Sequence, residues 1–232
     1  DRLTILAGGQ RPFGLRSELA AHFGIDEDNI RVVTQEIGGG FGGKSIYPVA
    51  EEAATLARAA GQPVRVAYTR NEETTLSTFR PAALIEIKSG FTSDGRIVAW
   101  DYRAYHAGER VMIGRRGSMS PYDTPNVKAE IFRSDSPLRS GSYRSLGGAV
   151  NHFAREVHID EIAAATGVDP VELRLKNMVD PRFRRVIETA AERFGWGSGD
   201  AGSGRGIAIG LDVGSYSATA VQLDVQGSEV KV

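Results

Sequence analysis

The first third of the chain alternates between two kinds of hydrophobic pattern. Residues 3–6, 30–35 and 63–68 are rich in β-favouring residues, which predicts three strands. Residues 14–22 and 50–60 carry apolar positions at helical spacing, which predicts two helices. Because strands and helices alternate, this part of the chain is predicted to adopt an α/β arrangement.

The middle of the chain changes to a strand-only pattern. Residues 83–91 and 97–104 alternate around the turn sequence Thr-Ser-Asp-Gly at 92–95, which predicts a hairpin that opens a β-meander. Between Gly108 and Asn126, glycine, proline, arginine and methionine follow no clear period. We interpret this stretch as a long ordered loop.

A helical pattern begins near Gly148 and is expected to stop near Gly167. Its predicted buried face consists of Val150, Phe153, Ala154 and Val157, and its predicted outer face consists of Arg155, Glu156 and Asp160.

Two further helices and a β segment are predicted after this helix. Asp169 and Pro170 indicate a helix start, with an end near Met178, and residues 181–194 form the next helical pattern. A connector rich in glycine and serine at 197–204 leads to alternating strands at 206–211 and 218–225.

The resulting prediction is an α+β fold in three segments. Residues 1–140 form an α/β lobe with a glycine-rich loop and a β-meander, 141–196 a helical segment, and 197–232 a linker and β segment. The chain opens without methionine, on a strand pattern, and stops inside another, so we expect it to be an excised piece of a longer protein.

Composition narrows the possible partners. Lys plus Arg number 28 against 29 Asp plus Glu, a net charge of -1, which gives no general attraction for nucleic acid or an anionic membrane. The chain has no cysteine, so a disulfide, a Cys-zinc site or a Cys-ligated iron–sulfur cluster cannot form within it. No apolar run reaches the roughly 18 to 20 residues that span a bilayer.

The glycine-rich run is the most distinctive local motif. It matches the phosphate-loop pattern G-x-x-x-x-G-K-[ST], and its residues are Gly38, Gly39, Gly40, Phe41, Gly42, Gly43, Lys44 and Ser45. A phosphate loop needs a helix that starts at the Lys-Ser pair, whereas Pro48 favours a later start. Two alternatives therefore remain open beside a cofactor role: a cofactor-free packing or assembly module and, less favoured, a phosphate-loop NTPase.

Two more motifs accompany the glycine loop. Gly9-Gln10-Arg11-Pro12-Phe13 precedes it, and Tyr143-Arg144-Ser145-Leu146-Gly147-Gly148 follows it. In order and spacing, the three motifs resemble those of the xanthine dehydrogenase/aldehyde oxidase family of molybdenum hydroxylases. The helical segment at 159–177 also resembles that family, so the resemblance covers roughly residues 3–232.

The resemblance implies a molybdenum-molybdopterin cofactor, with the cytosine dinucleotide form expected, and hydroxylation of an electron-poor carbon with oxygen from water. It implies three partners, namely the remainder of the molybdenum subunit, an iron–sulfur subunit and an FAD subunit. Iron–sulfur clusters in a partner agree with the lack of cysteine here. The cytoplasm is the expected location, with the periplasm possible through a partner's export signal.

The resemblance also assigns the candidate site residues. Gln10 is expected to direct its side-chain amide toward an oxygen ligand of the metal, and Arg144 to form hydrogen bonds near the metal and the pterin. Gly40, Phe41 and Gly42 are expected to bring backbone N–H groups close to the cofactor. The family's general-base glutamate lies in a later Gly-x-Gly-Glu segment that this chain lacks. No catalytic residue is therefore assigned, and the fragment alone is expected to be inactive.

Two departures from the family pattern bear on the substrate. Members that oxidise purines carry glutamate at the position of Ser45 and an aromatic residue at the position of Leu146. We therefore expect an aldehyde or an N-heteroaromatic substrate rather than xanthine. His152 and Glu156, four residues apart on a predicted helix, could bind a metal, but a solvated or internally paired polar face is the favoured interpretation.

Overall fold

The computed structural model describes residues 2–108, 114–198 and 204–232. These residues form two compact units, which we describe separately. The first unit comprises 2–81, 108 and 135–146, and the second comprises 82–107, 114–134, 147–198 and 204–232.

The units differ from the predicted division into 1–140, 141–196 and 197–232. The strands from the middle of the chain share one hydrophobic core with the later helices: Trp100 and Tyr102 pack in the same cluster as Ile159 and Ile162. The middle strands therefore belong to the second unit, because their buried face is covered by those helices.

The first unit contains a two-stranded parallel sheet with helices around it. Its elements are β1 (Leu3–Ala7), α1 (Pro12–Phe23), a short 3₁₀ helix (Glu27–Asn29), β2 (Ile30–Thr34), α2 (Pro48–Ala60) and α3 (Arg70–Leu76). The register places Leu3 opposite Ile30, and α1 provides the crossover that a parallel pair requires. The predicted α/β arrangement is confirmed for both helices and for the strands at 3–6 and 30–35.

Proline and glycine set the ends of α1 and α2. Each helix has proline at its first turn, where the missing N–H costs no hydrogen bond, and each ends at a left-handed glycine, Gly24 and Gly61. The core between them includes Leu15, Leu19 and Ala54.

The predicted strand at 63–68 is wrong. Val64 and Val66 are half-buried and Arg65 is exposed, as in a strand, but no described segment forms a strand ladder with this stretch. An alternating pattern indicates which side chains point toward the protein interior, whereas a strand also needs backbone hydrogen bonds to a neighbouring strand. Helix α3, which was not predicted, follows directly and starts with a Thr69–Glu72 capping box.

The second unit begins with a three-stranded sheet, formed by β3 (Ala83–Phe91), β4 (Ile97–Ala107) and β5 (Asn126–Ser134). The β3–β4 hairpin is confirmed, but β5 runs parallel to β4, so the predicted meander is wrong for the third strand. A parallel neighbour needs a long connection, which the stretch between Gly108 and Asn126 provides. Part of that predicted loop, residues 109–113, lies outside the described residues.

Three helices and a second sheet complete this unit. They are α4 (Gly148–Thr166), α5 (Pro170–Lys176), α6 (Pro181–Phe194), β6 (Gly204–Asp212), β7 (Ser215–Gln226) and β8 (Glu229–Lys231). Asp169 caps α5 by accepting a 2.8 Å hydrogen bond from the backbone N–H of Val171. The α+β class is confirmed. Residues 199–203 of the predicted connector lie outside the described part of the chain.

The predicted orientation of α4 is wrong. Phe153 and Val157 are 72% and 41% exposed, whereas Arg155 and Glu156 are only 3% and 4% exposed. The charged side can be internal because its charges are paired: Glu156 accepts hydrogen bonds from Nε of Arg155 at 2.8 Å and from Nε of Arg174 at 3.0 Å.

This buried ion network also satisfies part of the backbone of β6. Glu156 Oε2 accepts the Ile209 N–H at 3.1 Å, and an Arg155 guanidinium N–H donates to the Ile209 carbonyl at 3.1 Å. Tyr122 donates its hydroxyl to Glu156 at 3.0 Å. Glu156 is therefore internally paired, one of the two favoured interpretations of the polar face that it shares with His152.

Candidate functional site

The glycine loop between β2 and α2 has an unusual backbone. Gly38, Gly39 and Gly42 have positive φ angles of 65°, 131° and 93°, and Phe41 has a φ of 46°. Glycine adopts such angles readily, whereas phenylalanine rarely does. The phenyl ring is 67% exposed, so the loop presents an apolar side chain and its own backbone on the surface of the first unit.

Glycine is required for packing at position 42, whereas a side chain at position 40 would displace the Gln10 side chain. A Cβ atom on Gly42 would lie 2.8 Å from the backbone carbon of Ser142, and a Cβ atom on Gly40 would lie 2.5 Å from Oε1 of Gln10. Both distances are shorter than any ordinary contact. The structure therefore brings together the three motifs that the sequence separates.

Gln10 is fixed by both its backbone and its side chain. Its N–H donates to the Lys44 carbonyl at 2.8 Å, and its Oε1 accepts the Gly42 N–H at 3.0 Å. The Gly42 N–H is thus used within the chain rather than left open. Across the described ranges no hydrogen-bond partner is found for the Gln10 side-chain NH₂ group or for the Phe41 N–H, so both are open donors.

Arg144 lies on an exposed loop in the same unit as Phe41. The carbon at the centre of its guanidinium is 5.4 Å from the centroid of the Phe41 ring, within cation–π range. The next two residues, Ser145 and Leu146, have φ angles of 67° and 51°. The arginine loop therefore contains two residues in a conformation that L side chains rarely adopt.

Arg80 was missed in the sequence and makes the principal contacts to this loop. Its guanidinium donates to the carbonyl oxygens of Arg144 at 2.6 Å and Leu146 at 2.7 Å, and it lies 4.8 Å from the ring centroid of Tyr143. Arg80 is more than sixty positions away from these partners. No local pattern in the sequence could have linked them.

The loop does not have phosphate-loop geometry. As predicted, α2 begins at Pro48 rather than at Lys44. The ammonium group of Lys44 donates to the Ile37 carbonyl at 2.6 Å, which closes the glycine loop on itself. Without a helix N-terminus at Lys44, the loop lacks the aligned amides that bind a nucleotide phosphate.

The two positions that depart from the family pattern have different surroundings. Ser45 is 9% exposed, and its N–H donates to the Gly42 carbonyl at 3.1 Å. Leu146 is half-buried.

Residues 2–108, 114–198 and 204–232 contain no group of three His, Cys, Asp or Glu side chains that could hold a metal ion. No helix in these same ranges is long and apolar enough to cross a membrane.

The chemistry of the cluster suits an anionic cofactor. Its open groups are the Gln10 NH₂, the Phe41 N–H and the guanidinium of Arg144, all of which are hydrogen-bond donors. Donors of this kind bind phosphate and oxo groups, and an arginine adds charge complementarity. The residues present therefore fit a pterin cofactor with phosphate and metal-oxo groups.

The family of this chain is shown by its similarity to known proteins. Residues 1–178 match the molybdopterin cofactor-binding domain. The chain belongs to that family. The match includes Gln10, the glycine loop and Arg144.

Two similar members of the family are considerably longer than this chain. A nicotinate dehydrogenase subunit of Pseudomonas putida is 33% identical over 89% of the chain, which spans 20% of that protein. The aldehyde oxidoreductase molybdenum-binding subunit PaoC of Escherichia coli K12 is 32% identical over 88% of the chain, which spans 30% of that protein. The chain therefore spans less than a third of either relative.

Two solved structures share the fold of this chain. Quinoline 2-oxidoreductase from Pseudomonas putida 86 matches 89% of the chain with a TM-score of 0.78 and 25% identity, and the chain covers 31% of it. The Cu,Mo-CO dehydrogenase matches 89% of the chain with a TM-score of 0.78, and the chain covers 32% of it. At 20% identity the second likeness supports the fold alone.

Proposed function

We propose that this chain is part of the molybdenum subunit of an oxidoreductase that hydroxylates an aldehyde or an N-heteroaromatic compound with oxygen from water. The observation that carries the proposal is the cluster of open donors formed by Gln10, Phe41 and Arg144 within one compact unit. Family membership supplies the cofactor class.

Each residue has a distinct task in this proposal. The bound molybdenum-molybdopterin supplies two-electron redox chemistry. The Gln10 amide is oriented by its bond to the Gly42 N–H, so that its NH₂ group donates to the cofactor. Phe41 donates through its backbone, Gly40 and Gly42 allow the close packing that shapes the loop, and Arg144 balances negative charge.

We also propose the remaining parts of the enzyme. The cofactor is in the cytosine dinucleotide form, and electrons leave through iron–sulfur and FAD partner subunits, since the chain has no cysteine to hold a cluster. The general base lies in the remainder of the molybdenum subunit. The enzyme acts in the cytoplasm, or in the periplasm if a partner carries an export signal.

The substrate class rests on two kinds of support. Relatives are named for nicotinate, for aldehydes and for xanthine, and a structural neighbour is named for quinoline, so the names include the proposed class but also a purine. Ser45 and Leu146 replace the carboxylate and the aromatic ring of purine-oxidising members, which removes a hydrogen-bonding group and a stacking surface for xanthine.

Molybdenum content of the full subunit, purified with its partners, tests the proposal. Wild type should hold about one molybdenum per subunit. Gly42→Val should hold roughly a tenth or less, because a side chain at a φ of 93° and against the Ser142 backbone adds strain of ~1–3 kcal/mol. Gly43→Ala is the matched control, since its Cβ would meet only the Gly40 carbonyl, at 3.4 Å.

Two outcomes would contradict the proposal. Wild type without molybdenum, from a host that makes the cofactor, would favour the packing or assembly module. Equal molybdenum in wild type and in Gly42→Val would mean that the glycine loop does not border the cofactor.

A further inference from the structure

We propose that Arg80 is a positioning residue that holds the arginine loop, residues 143–146, in the form that places Arg144 against Phe41. This inference rests on the proposed function, because it concerns the same donor cluster. It assigns a role to a residue that lies in none of the three sequence motifs.

The geometry around Arg80 is that of a two-point clamp. One terminal nitrogen of its guanidinium donates to the Arg144 carbonyl at 2.6 Å, and the other donates to the Leu146 carbonyl at 2.7 Å. The same group lies 4.8 Å from the centroid of the Tyr143 ring. A planar guanidinium can make these contacts at once, whereas a lysine ammonium is a point charge that cannot match the fork.

The loop needs such a clamp because its backbone is strained. Ser145 and Leu146 both have left-handed φ angles, 67° and 51°, and neither is glycine. The Leu146 N–H donates to the Tyr143 carbonyl at 2.7 Å, which closes a tight turn. The carbonyl groups that Arg80 binds lie at and beside these two residues, so losing the clamp would let the turn relax to ordinary angles.

The arginine loop in turn supports the glycine loop. The Gly42 position packs against the backbone of Ser142 and Tyr143, and the guanidinium of Arg144 lies over the Phe41 ring. Arg80 contacts the arginine loop directly and would influence the glycine loop only through the packing at Gly42 and the Arg144–Phe41 contact.

Charge supports the same conclusion. Within the described ranges no acidic side chain lies in salt-bridge distance of Arg80 or Arg144. By contrast, Arg16 in the same unit is paired with the Glu27 carboxylate at 3.1 Å. Arg80 uses its guanidinium on two backbone carbonyl groups, so the charge of neither arginine is cancelled by a carboxylate, which suits a site for an anionic group.

The test uses the full subunit with its partners and the variants Arg80→Ala, Arg80→Lys and Arg16→Ala. Arg16 is a matched control because it is also a half-buried arginine of the first unit, but its bond is to Glu27 rather than to a loop carbonyl. The readouts are molybdenum content and the hydrogen-exchange rates of amides at 38–44 and 141–147.

Arg80→Ala should lower molybdenum content roughly 10- to 100-fold and speed exchange in both loops, as for residues that orient groups around a metal. Arg80→Lys should restore neither readout fully. Low concentrations of methylguanidinium, which fits the space left by the side chain, should slow loop exchange in Arg80→Ala. Arg16→Ala should keep its molybdenum and its loop exchange rates.

Three results would overturn the inference or separate it from the proposed function. Wild-type molybdenum and loop exchange in Arg80→Ala would end it, as would an equal molybdenum loss in Arg16→Ala, which would point to general destabilisation. Wild type without molybdenum would end the proposed function, while the exchange rates and their rescue would still decide whether Arg80 positions the loop.

Discussion

The two units differ in whether their key polar groups are buried and hydrogen-bonded or exposed without partners. In the second unit the Glu156 carboxylate is buried and bonded to two arginines, a tyrosine and the backbone of β6. In the first unit the Gln10 amide, the Phe41 N–H and the Arg144 guanidinium remain open at the surface. A fully satisfied network stabilises the fold, whereas a cluster of open donors is available to a ligand.

The buried Glu156 network affects the pKa of Tyr122, one of its members. Burial, together with the nearby Glu156 carboxylate, raises the pKa of the Tyr122 hydroxyl well above its ordinary value. The hydroxyl is therefore protonated near neutral pH, where it donates to Glu156 at 3.0 Å. Such a network is complete without a ligand, which is why we place the function in the first unit.

Breaking the buried network should have the largest effect on stability. Glu156→Gln removes the negative charge between Arg155 and Arg174, which are 3% and 0% exposed, and leaves two buried cations without their shared partner. We expect a loss of ~3–5 kcal/mol in the free energy of unfolding, measured by denaturant titration. Both tryptophans, Trp100 and Trp196, lie in the second unit, so their fluorescence reports this transition.

A control on the same helix tests that explanation. Glu161 pairs with His158 at 3.0 Å, but its side chain is 66% exposed. Glu161→Gln should cost less than ~1 kcal/mol, because water screens an exposed pair. Equal losses of unfolding free energy in the two variants would show that the buried network stabilises the protein no more than an exposed ion pair does.

The glycine loop should respond more weakly and in a different signal. Gly42→Ala forces a side chain into a φ of 93° and against the Ser142 backbone, at an expected cost of ~1–3 kcal/mol confined to the first unit. Amide hydrogen exchange at 38–44 and 141–147 should speed up, while the tryptophan transition should keep its midpoint. A shift of that midpoint as large as that of Glu156→Gln would mean that the two regions are not energetically separate.

The contrast between the units also explains what the sequence could predict. Glycine, proline and capping residues reflect the conformation of the backbone at their own positions. The sequence could therefore predict the glycine loop and the helix starts at Pro48 and Pro170. Likewise, the motifs that carry Gln10 and Arg144 can be recognised because they are short.

The failures depend on partners distant in sequence. The buried face of α4 could not be read from hydrophobicity, because Arg155 and Glu156 are internal only where Arg174 and β6 meet them. The direction of β5 and the missing strand at 63–68 depend on which backbone lies alongside. Arg80 was missed for the same reason, since its partners are more than sixty positions away.

Acid should weaken the second unit through His106. This side chain is 3% exposed, no described residue bonds its Nε2, and burial lowers its pKa below the ordinary 6.5. The unfolded chain therefore binds a proton more readily than the folded one, so stability is full above pH 6.5 and falls as the pH drops below it. The slope from this group is at most about 1.4 kcal/mol per pH unit.

Denaturant titrations followed by tryptophan fluorescence between about pH 5.5 and 7.5 measure this slope, in a range above the ordinary pKa of carboxylates. His106→Gln should reduce it, because glutamine does not titrate, and part of the slope should remain because burial also lowers the pKa of His152 in the same unit. An unchanged slope in the variant would assign the acid sensitivity to another group.

The smallest effect is expected where the sequence prediction failed most clearly. Phe153 was predicted to be core but is 72% exposed, so Phe153→Ala should change the free energy of unfolding of the 232-residue chain by no more than ~0.5 kcal/mol. Phe183, which is 2% exposed, is the matched control, and Phe183→Ala should cost ~3–5 kcal/mol. A comparable loss from both substitutions would mean that Phe153 is buried, as the sequence predicted. Because a helix cannot bury two opposite faces against the same core, the burial of Arg155 and Glu156 would then have to be explained differently.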